Sequence, residues 1–231
     1  MSRIVILTGA GISAESGIET FRAETSLWAQ HRVEDVATPE GFACDPALVV
    51  EFYNMRRHLA ADALPNAAHK ALAQLEAEYS GEVLVVTQNV DDLHERVGSK
   101  NLIHMHGALN SALCAVCEHR WDAPMMMHVG ETCPSCGAAA ARPDIVWFGE
   151  MPYEMDRIFN ALSRADIFAA IGTSGNVYPA AGFAAEASRA GAKTLEINLE
   201  QSAVGAQFDE ALLGPATQTV PEWVASILRA G

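Results

Sequence analysis

The stretch Arg3-Ile4-Val5-Ile6-Leu7-Thr8-Gly9-Ala10-Gly11-Ile12-Ser13-Ala14 decides the fold. Its first six residues form an apolar, β-branched run, the pattern of a strand buried on both faces. Gly9-x-Gly11-x-x-Ala14 follows directly, where a dinucleotide-binding turn must sit. A glycine pair there lets backbone N–H groups approach a pyrophosphate, and the start of a helix favours its negative charge.

Outward from this strand, similar runs recur at 82–87, 101–105, 166–171 and 193–198. Helical patterns occupy 46–61, 67–78, 152–164, 179–190, 203–213 and 221–229, several with proline near the first turn. Strands apolar on both faces and alternating with helices predict an α/β fold with a doubly wound, mostly parallel, Rossmann-like sheet. The chain has 231 residues, half of them apolar, enough for a full core carrying a smaller inserted domain. The expected division gives a nucleotide-binding domain from 1–30, 65–106 and 145–231. A helical insertion at 31–64 and a zinc ribbon at 107–144 form the small domain.

No apolar run approaches the roughly 18 to 20 residues that cross a bilayer, and the first residues lack a signal-peptide layout. The expectation is a cytoplasmic protein with no membrane partner. A net charge of −14 argues against nucleic acid, whose phosphates need a basic face, and suits lysine-containing protein segments.

The segment 107–144 breaks the alternation and holds four of the five cysteines. Cys114-x-x-Cys117 and Cys133-x-x-Cys136, fifteen residues apart, have the spacing of a structural zinc site. Pro134 and Gly137 supply the turns a knuckle needs; a disulfide or redox use of the two pairs is the competing reading. Four thiolates saturate the metal, so reaction chemistry must come from elsewhere. Cys44 reads as an ordinary half-buried side chain.

The glycine turn does not behave as a dehydrogenase signature. A dehydrogenase needs a second strand ending in an acidic ribose ligand about 20 residues on, but Ile18-Glu19-Thr20-Phe21-Arg22-Ala23-Glu24 is polar and turn-like, and Glu34 and Asp35 are poorly placed. Asn198 and Glu200, at the end of the late strand Thr194–Asn198, are better ribose partners. The pattern therefore points to a bound cofactor that does not transfer hydride.

Gly9-Ala10-Gly11-Ile12-Ser13, Gly17-Ile18-x-x-Phe21-Arg22, Thr87-Gln88-Asn89-x-Asp91, His106-Gly107, the four cysteines, Gly172-Thr173-Ser174 and Asn198-Leu199-Glu200 together resemble the sirtuins, NAD-dependent protein-lysine deacylases. The resemblance runs in the family's order from residue 3 to near the C-terminus. Thr20 stands before Phe21-Arg22 where many members have Pro-Asp. With Ala37-Thr38-Pro39, Phe52-Tyr53-x-x-Arg56 and Val146-Trp147-Phe148-Gly149-Glu150, the chain is similar to the class III bacterial and mitochondrial branch that removes acidic acyl groups.

The resemblance implies NAD as co-substrate, acyl-lysine proteins as partners and transfer of the acyl group to ADP-ribose with release of nicotinamide. His106 would be the general base that deprotonates a ribose hydroxyl, a task suited to imidazole, whose pKa lies near working pH. Gln88 and Asn89 would meet the ribose, and Asp91 the nicotinamide amide. Ser13, at a helix start, would face phosphate or ribose, and Phe21 and Arg22 would lie on a loop covering the nicotinamide. Gly172, Thr173 and Ser174 would give a second phosphate-facing turn. Further NAD contacts would come from Gly9, Ala10, Gly11, Ala14, Glu15, Trp28, Val90, Asn198, Leu199, Glu200 and Ala216. The other seven histidines, His104 among them, read as core or surface side chains, and Asn89 and Asp91 are also placed to cap the following helix.

Tyr53 and Arg56, three residues apart on a helix, share one face. A guanidinium can hold the terminal carboxylate of a succinyl or malonyl group while a phenol adds a hydrogen bond. Phe52, Met55 and Leu59 would form the buried stripe of that helix, with Arg57 a solvated charge. Val146 and Phe148 would line the lysine tunnel, with Gly149-Glu150 and Val177-Tyr178 offering backbone edges to the peptide. The alternatives are a non-catalytic module binding NAD or ADP-ribose and acyl-lysine, and a mono-ADP-ribosyltransferase.

Overall fold

The computed structural model describes residues 2–18 and 30–230. In chain order the strands are β1 (Arg3–Thr8), β2 (Glu82–Thr87), β3 (Leu102–His104), β4 (Gly107–Cys114), β5 (Arg120–Asp122), β6 (Ala141–Ile145), β7 (Ile167–Ile171), β8 (Lys193–Asn198) and β9 (Glu210–Leu213). The α-helices among the described residues are α1 (Val33–Val36), α2 (Pro39–Cys44), α3 (Pro46–Asp62), α4 (Ala67–Glu78), α5 (Leu93–Arg96), α6 (Met155–Leu162), α7 (Phe183–Arg189) and α8 (Ala216–Ala230).

Six strands form one sheet in the order β3-β2-β1-β7-β8-β9, and every pairing in it is parallel. The strand order reverses between β1 and β7, so the loops leaving these two neighbours mark the topological switch point where α/β sheets bind ligands. Side chains alternate across the sheet. Ile4, Ile6, Val83, Val85, Ala169, Ile171, Leu195 and Ile197 pack against α4 and α8 on one face. Val5, Leu7, Leu84, Val86, Phe168 and Ala170 pack against α6 and α7 on the other.

The second sheet is antiparallel, in the order β5-β4-β6. Helix α3 packs on it through Val49, Phe52 and Tyr53, against Leu109, Ile145 and Trp147, and through Val50, against Ala112, Met127 and Ala141. Asp45 caps α3, accepting from Leu48 N at 2.9 Å, with Pro46 in the first turn.

Three expectations are corrected. Residues 203–213 are a 3-10 turn, Gly205–Gln207, followed by edge strand β9, whose residues are all exposed. Helix α8 begins at Ala216, not near 221, and carries Pro221 inside it. Its first turn is held by Glu15, whose carboxylate accepts from Thr217 N at 3.0 Å and Thr217 Oγ1 at 2.7 Å. The 179–190 pattern splits into a 3-10 turn, Ala180–Gly182, and α7.

Candidate active site

The site is built where the loops after β1 and β7 cross. Gly9 N donates to Ile171 O at 3.0 Å and Gly11 N to Gly172 O at 2.8 Å. A Cβ on Gly9 would stand 2.8 Å from Gly172 O, and one on Gly11 2.7 Å from Gly172 Cα. Gly172 itself has φ +62°, open to glycine at little cost. The glycines are therefore required first by the crossing of two backbones. The α-helix expected to open here is absent: 3-10 turns cover Ala10–Ile12 and Ala14–Ser16. Ser13, fully buried, is the N-cap residue of the second turn, but its side chain makes no capping hydrogen bond.

Ser13 is the hub of a polar network. Its hydroxyl donates to Asp91 Oδ2 at 3.1 Å, accepts from Asn89 Nδ2 at 3.0 Å and lies 3.4 Å from His69 Nε2. Asp91 Oδ1 accepts from Leu93 N at 3.2 Å, so this carboxylate turns the chain into α5 as well as facing the crevice. Burial raises its pKa, opposed by the Leu93 and Ser13 hydrogen bonds and by His104. Gln88 Nε2 donates to Thr173 Oγ1 at 3.0 Å, and Asn198 Nδ2 to Thr173 O at 2.7 Å, joining the β2, β7 and β8 loops. Ser174 Oγ accepts from Asn176 N at 3.4 Å. Leu199 and Glu200 are exposed beyond β8, Val90 is buried in the cluster that holds Phe52, Leu109 and Trp147, and Ala216 opens α8 near Glu15. Phe21, Arg22 and Trp28 lie outside the described residues.

His106 follows β3 and is half-buried. Its Nδ1 lies 3.2 Å from Gln88 O, a pure acceptor, so Nδ1 carries the hydrogen and Nε2 presents its lone pair. Burial lowers its pKa, partly offset by the Gln88 bond, so the ring is neutral at physiological pH. His104 is neither a core nor a solvated side chain: Nδ1 lies 3.1 Å from Asn89 O and Nε2 2.6 Å from Glu95 Oε1. Burial pulls its pKa down, yet the Glu95 carboxylate outweighs it and the net shift is upward.

On α3, Tyr53 and Arg56 do share a face: the guanidinium carbon is 5.6 Å from the Tyr53 ring centroid and 5.8 Å from that of Phe52. Tyr53 is buried, and its hydroxyl accepts from Trp147 Nε1 at 3.1 Å, leaving the phenolic hydrogen to donate. Burial raises the Tyr53 pKa and lowers that of Arg56. Trp147 is held by Arg142, whose guanidinium carbon stands 3.6 Å from its ring centroid and which pairs with Glu150 at 2.7 Å. Val146 is half-buried, its N–H bonded to His106 O at 2.9 Å, and Phe148 is exposed.

Two readings of α3 are corrected. Leu59 is exposed, whereas Arg57 is 5% exposed. Arg57 Nε donates to Leu109 O at 2.7 Å, and Nη1 to Asn54 Oδ1 at 2.5 Å and Met125 O at 3.2 Å. Asn54 also exchanges both hydrogen bonds with the Met127 backbone, at 2.9 and 3.0 Å. Sequence could not signal this strut, because its partners are mostly backbone atoms. Cys44 is exposed, not half-buried.

The Sγ atoms of Cys114, Cys117, Cys133 and Cys136 all lie within 4.8 Å of one another, two pairs at 3.7 Å. A tetrahedron of Zn–S bonds near 2.3 Å sets its sulfurs about 3.8 Å apart, so the cluster fits zinc. None of the four is in a disulfide. The knuckles are alike: Val116 N and Ser135 N each point to the first sulfur of their own pair at 3.4 Å, and Glu118 N and Gly137 N close the turns.

A model described as the Sir2 family matches residues 9–179. The chain is 54% identical over 228 residues to an NAD-dependent protein deacylase of Bdellovibrio bacteriovorus, covering 97% of this chain and 96% of that protein. It superposes with a TM-score of 0.90 on a Sir2 homologue in complex with NAD, at 39% identity, covering 99% of this chain and 90% of the other. Sir2Af2 bound to a myristoylated histone peptide gives a TM-score of 0.75 at 30% identity, with 99% and 92% covered.

Proposed function

The chain belongs to the Sir2 family and is an NAD-dependent protein-lysine deacylase, and from that premise we propose how its residues divide the work and which acyl groups it prefers. NAD supplies the ribose that receives the acyl group from the lysine of a protein substrate. The loops of Gly9–Gly11 and Gly172, locked against each other where the strand order reverses, support a cofactor seated at the switch point. The four-cysteine cluster suits one structural zinc, which fixes the small sheet and leaves no position for a reacting water.

His106 is the general base. The observation that carries this is its anchored tautomer: Nδ1 is fixed on Gln88 O, and among the described residues Nε2 has no protein partner. A neutral imidazole held in this way accepts a ribose proton without first losing one. Asn89 and Gln88 orient ribose hydroxyls, and Asp91 orients the nicotinamide carboxamide. These groups are locked through Ser13 and Thr173 before a ligand arrives, which lowers the cost of ordering them.

Arg56 and Tyr53 select acyl groups that end in a carboxylate. In a chain of net charge −14 a local guanidinium is what an anionic acyl group requires, and the phenol beside it retains a hydrogen to donate. Nicotinamide release from one peptide carrying acetyl-, malonyl- or succinyl-lysine tests this preference. Faster release with the two acidic groups is expected; faster release with acetyl would remove the carboxylate clamp. ADP-ribose appearing on the protein in place of acyl-ADP-ribose would reassign the chemistry to ADP-ribosyl transfer.

A further inference from the structure

His104 and His106 grip successive carbonyls of one segment. The Nδ1 atoms lie 3.1 Å from Asn89 O and 3.2 Å from Gln88 O respectively. They differ at the other nitrogen. Nε2 of His106 meets no protein acceptor among the described residues, whereas Nε2 of His104 meets the Glu95 carboxylate at 2.6 Å. A carbonyl and a carboxylate can only accept, so a ring placed between them carries a hydrogen on both nitrogens. One H-x-H motif thus yields an imidazolium and, two residues on, a neutral base.

We propose that His104 is a positioning residue for deacylation: an imidazolium clamped between Glu95 and Asn89 that holds the Asn89–Asp91 segment in place, and whose loss of a proton sets the alkaline limb of the rate. The proposal rests on the reading of Asn89 and Asp91 as ribose and nicotinamide contacts.

The surroundings favour this charge state. From α5, Glu95 faces the ring directly; from the preceding loop, Asp91 adds a second negative charge. His94, also on α5, is the neighbouring group that could oppose it, but burial and the nearby histidines push its pKa down to about 3, so it stays neutral. The benefit is mutual, since the imidazolium opposes the burial that raises the pKa of Asp91. When His104 loses its proton, one of its two acceptors loses its donor. Either Asn89 O is released or the Glu95 tether breaks, and the segment that orients the ribose loosens.

The test is the pH dependence of kcat/KM for NAD in the wild-type enzyme, Glu95→Gln and His104→Gln, together with nitrogen NMR of the histidine rings. The wild type is expected to hold His104 doubly protonated at neutral pH, with its titration coinciding with the alkaline limb. Removing the Glu95 charge should move both to lower pH by roughly one unit, and His104→Gln should abolish that limb. An alkaline limb that stays put in both variants, or a His104 ring that is neutral at pH 7, overturns the proposal. His106→Asn separates the two ideas: retained turnover in that variant alongside a shifted limb in Glu95→Gln would remove the base but keep the clamp.

Discussion

The crevice of the large sheet and the small antiparallel module both bury polar side chains, but they use them differently. In the crevice, short side chains bond chiefly to one another: Ser13 to Asn89 and Asp91, Thr8 to Thr87 at 2.8 Å, Gln88 to Thr173. In the module, long cations reach backbone carbonyls: Arg57 to Leu109 and Met125, Arg142 to Ile145 at 2.8 Å. The first arrangement fixes reactive edges relative to each other on strands that are already stable. The second supplies hydrogen-bond donors to a region whose three-stranded sheet is too small to satisfy its own backbone. Changes in the crevice should therefore appear in rate, and changes in the module in folding.

The largest effect should come from the module. Cys133→Ser removes one zinc ligand, and structural zinc sites contribute on the order of 10 kcal/mol of apparent binding free energy at neutral pH. Loss of zinc by elemental analysis with cooperative unfolding of the 107–145 region in hydrogen exchange is the expected result. A variant that keeps its protection but loses turnover would erase the distinction between the two regions.

His106→Asn is the counterpart in the crevice. Removal of a positioned general base typically costs 10²- to 10⁴-fold, with the melting temperature close to that of the wild type, because the ring makes only one hydrogen bond, to Gln88 O, among the described residues. Nicotinamide release and thermal unfolding measured on the same preparation check both halves. Arg56 sits at the border of the two regions, on a module helix but facing Asp91 as a charge. Arg56→Met should reduce kcat/KM for succinyl-lysine by about 10- to 100-fold relative to acetyl-lysine, the size of a lost charge-assisted hydrogen bond. Equal losses for both substrates would make Arg56 a structural residue.

The same contrast explains what could be read from the chain. β1, β2, β7 and β8 were legible because both faces of each are apolar, and the cysteine pairs because four thiolates at this spacing have few other uses. β9 was not, because all four of its residues are exposed and Val204, Phe208, Ala211 and Leu212 fall at helical spacing. β4, β5 and β6 were missed because a small sheet around a metal needs little apolar periodicity. In the site, the crossing of two glycine loops, the burial of Ser13 and the Arg57 strut depend on partners distant in sequence, many of them backbone atoms with no sequence signature. His104 shows the limit most clearly: its neighbour at Glu95 is nine residues away on another element, and only their meeting separates its role from that of His106.

The smallest effect concerns pH and stability, and it sharpens the picture of the crevice as a network already formed before a ligand binds. His69 and His94 are buried against each other, ring centroids 4.9 Å apart, with pKa values pushed by burial down to about 4 and about 3. In the unfolded chain each titrates near 6.5. Between that value and the folded ones, the unfolded state binds more protons, so folding stability is intact above about pH 6.5 and declines as pH falls toward 4. The slope is at most about 1.4 kcal/mol per pH unit for each ring. Among the described residues His94 Nδ1 has no hydrogen-bond partner, so His94→Gln removes an unmatched buried nitrogen together with a latent proton site. Urea unfolding at pH 7 and pH 5 should show a smaller acid loss in that variant than in the wild type. An unchanged pH 5 penalty would place the acid sensitivity outside this histidine pair.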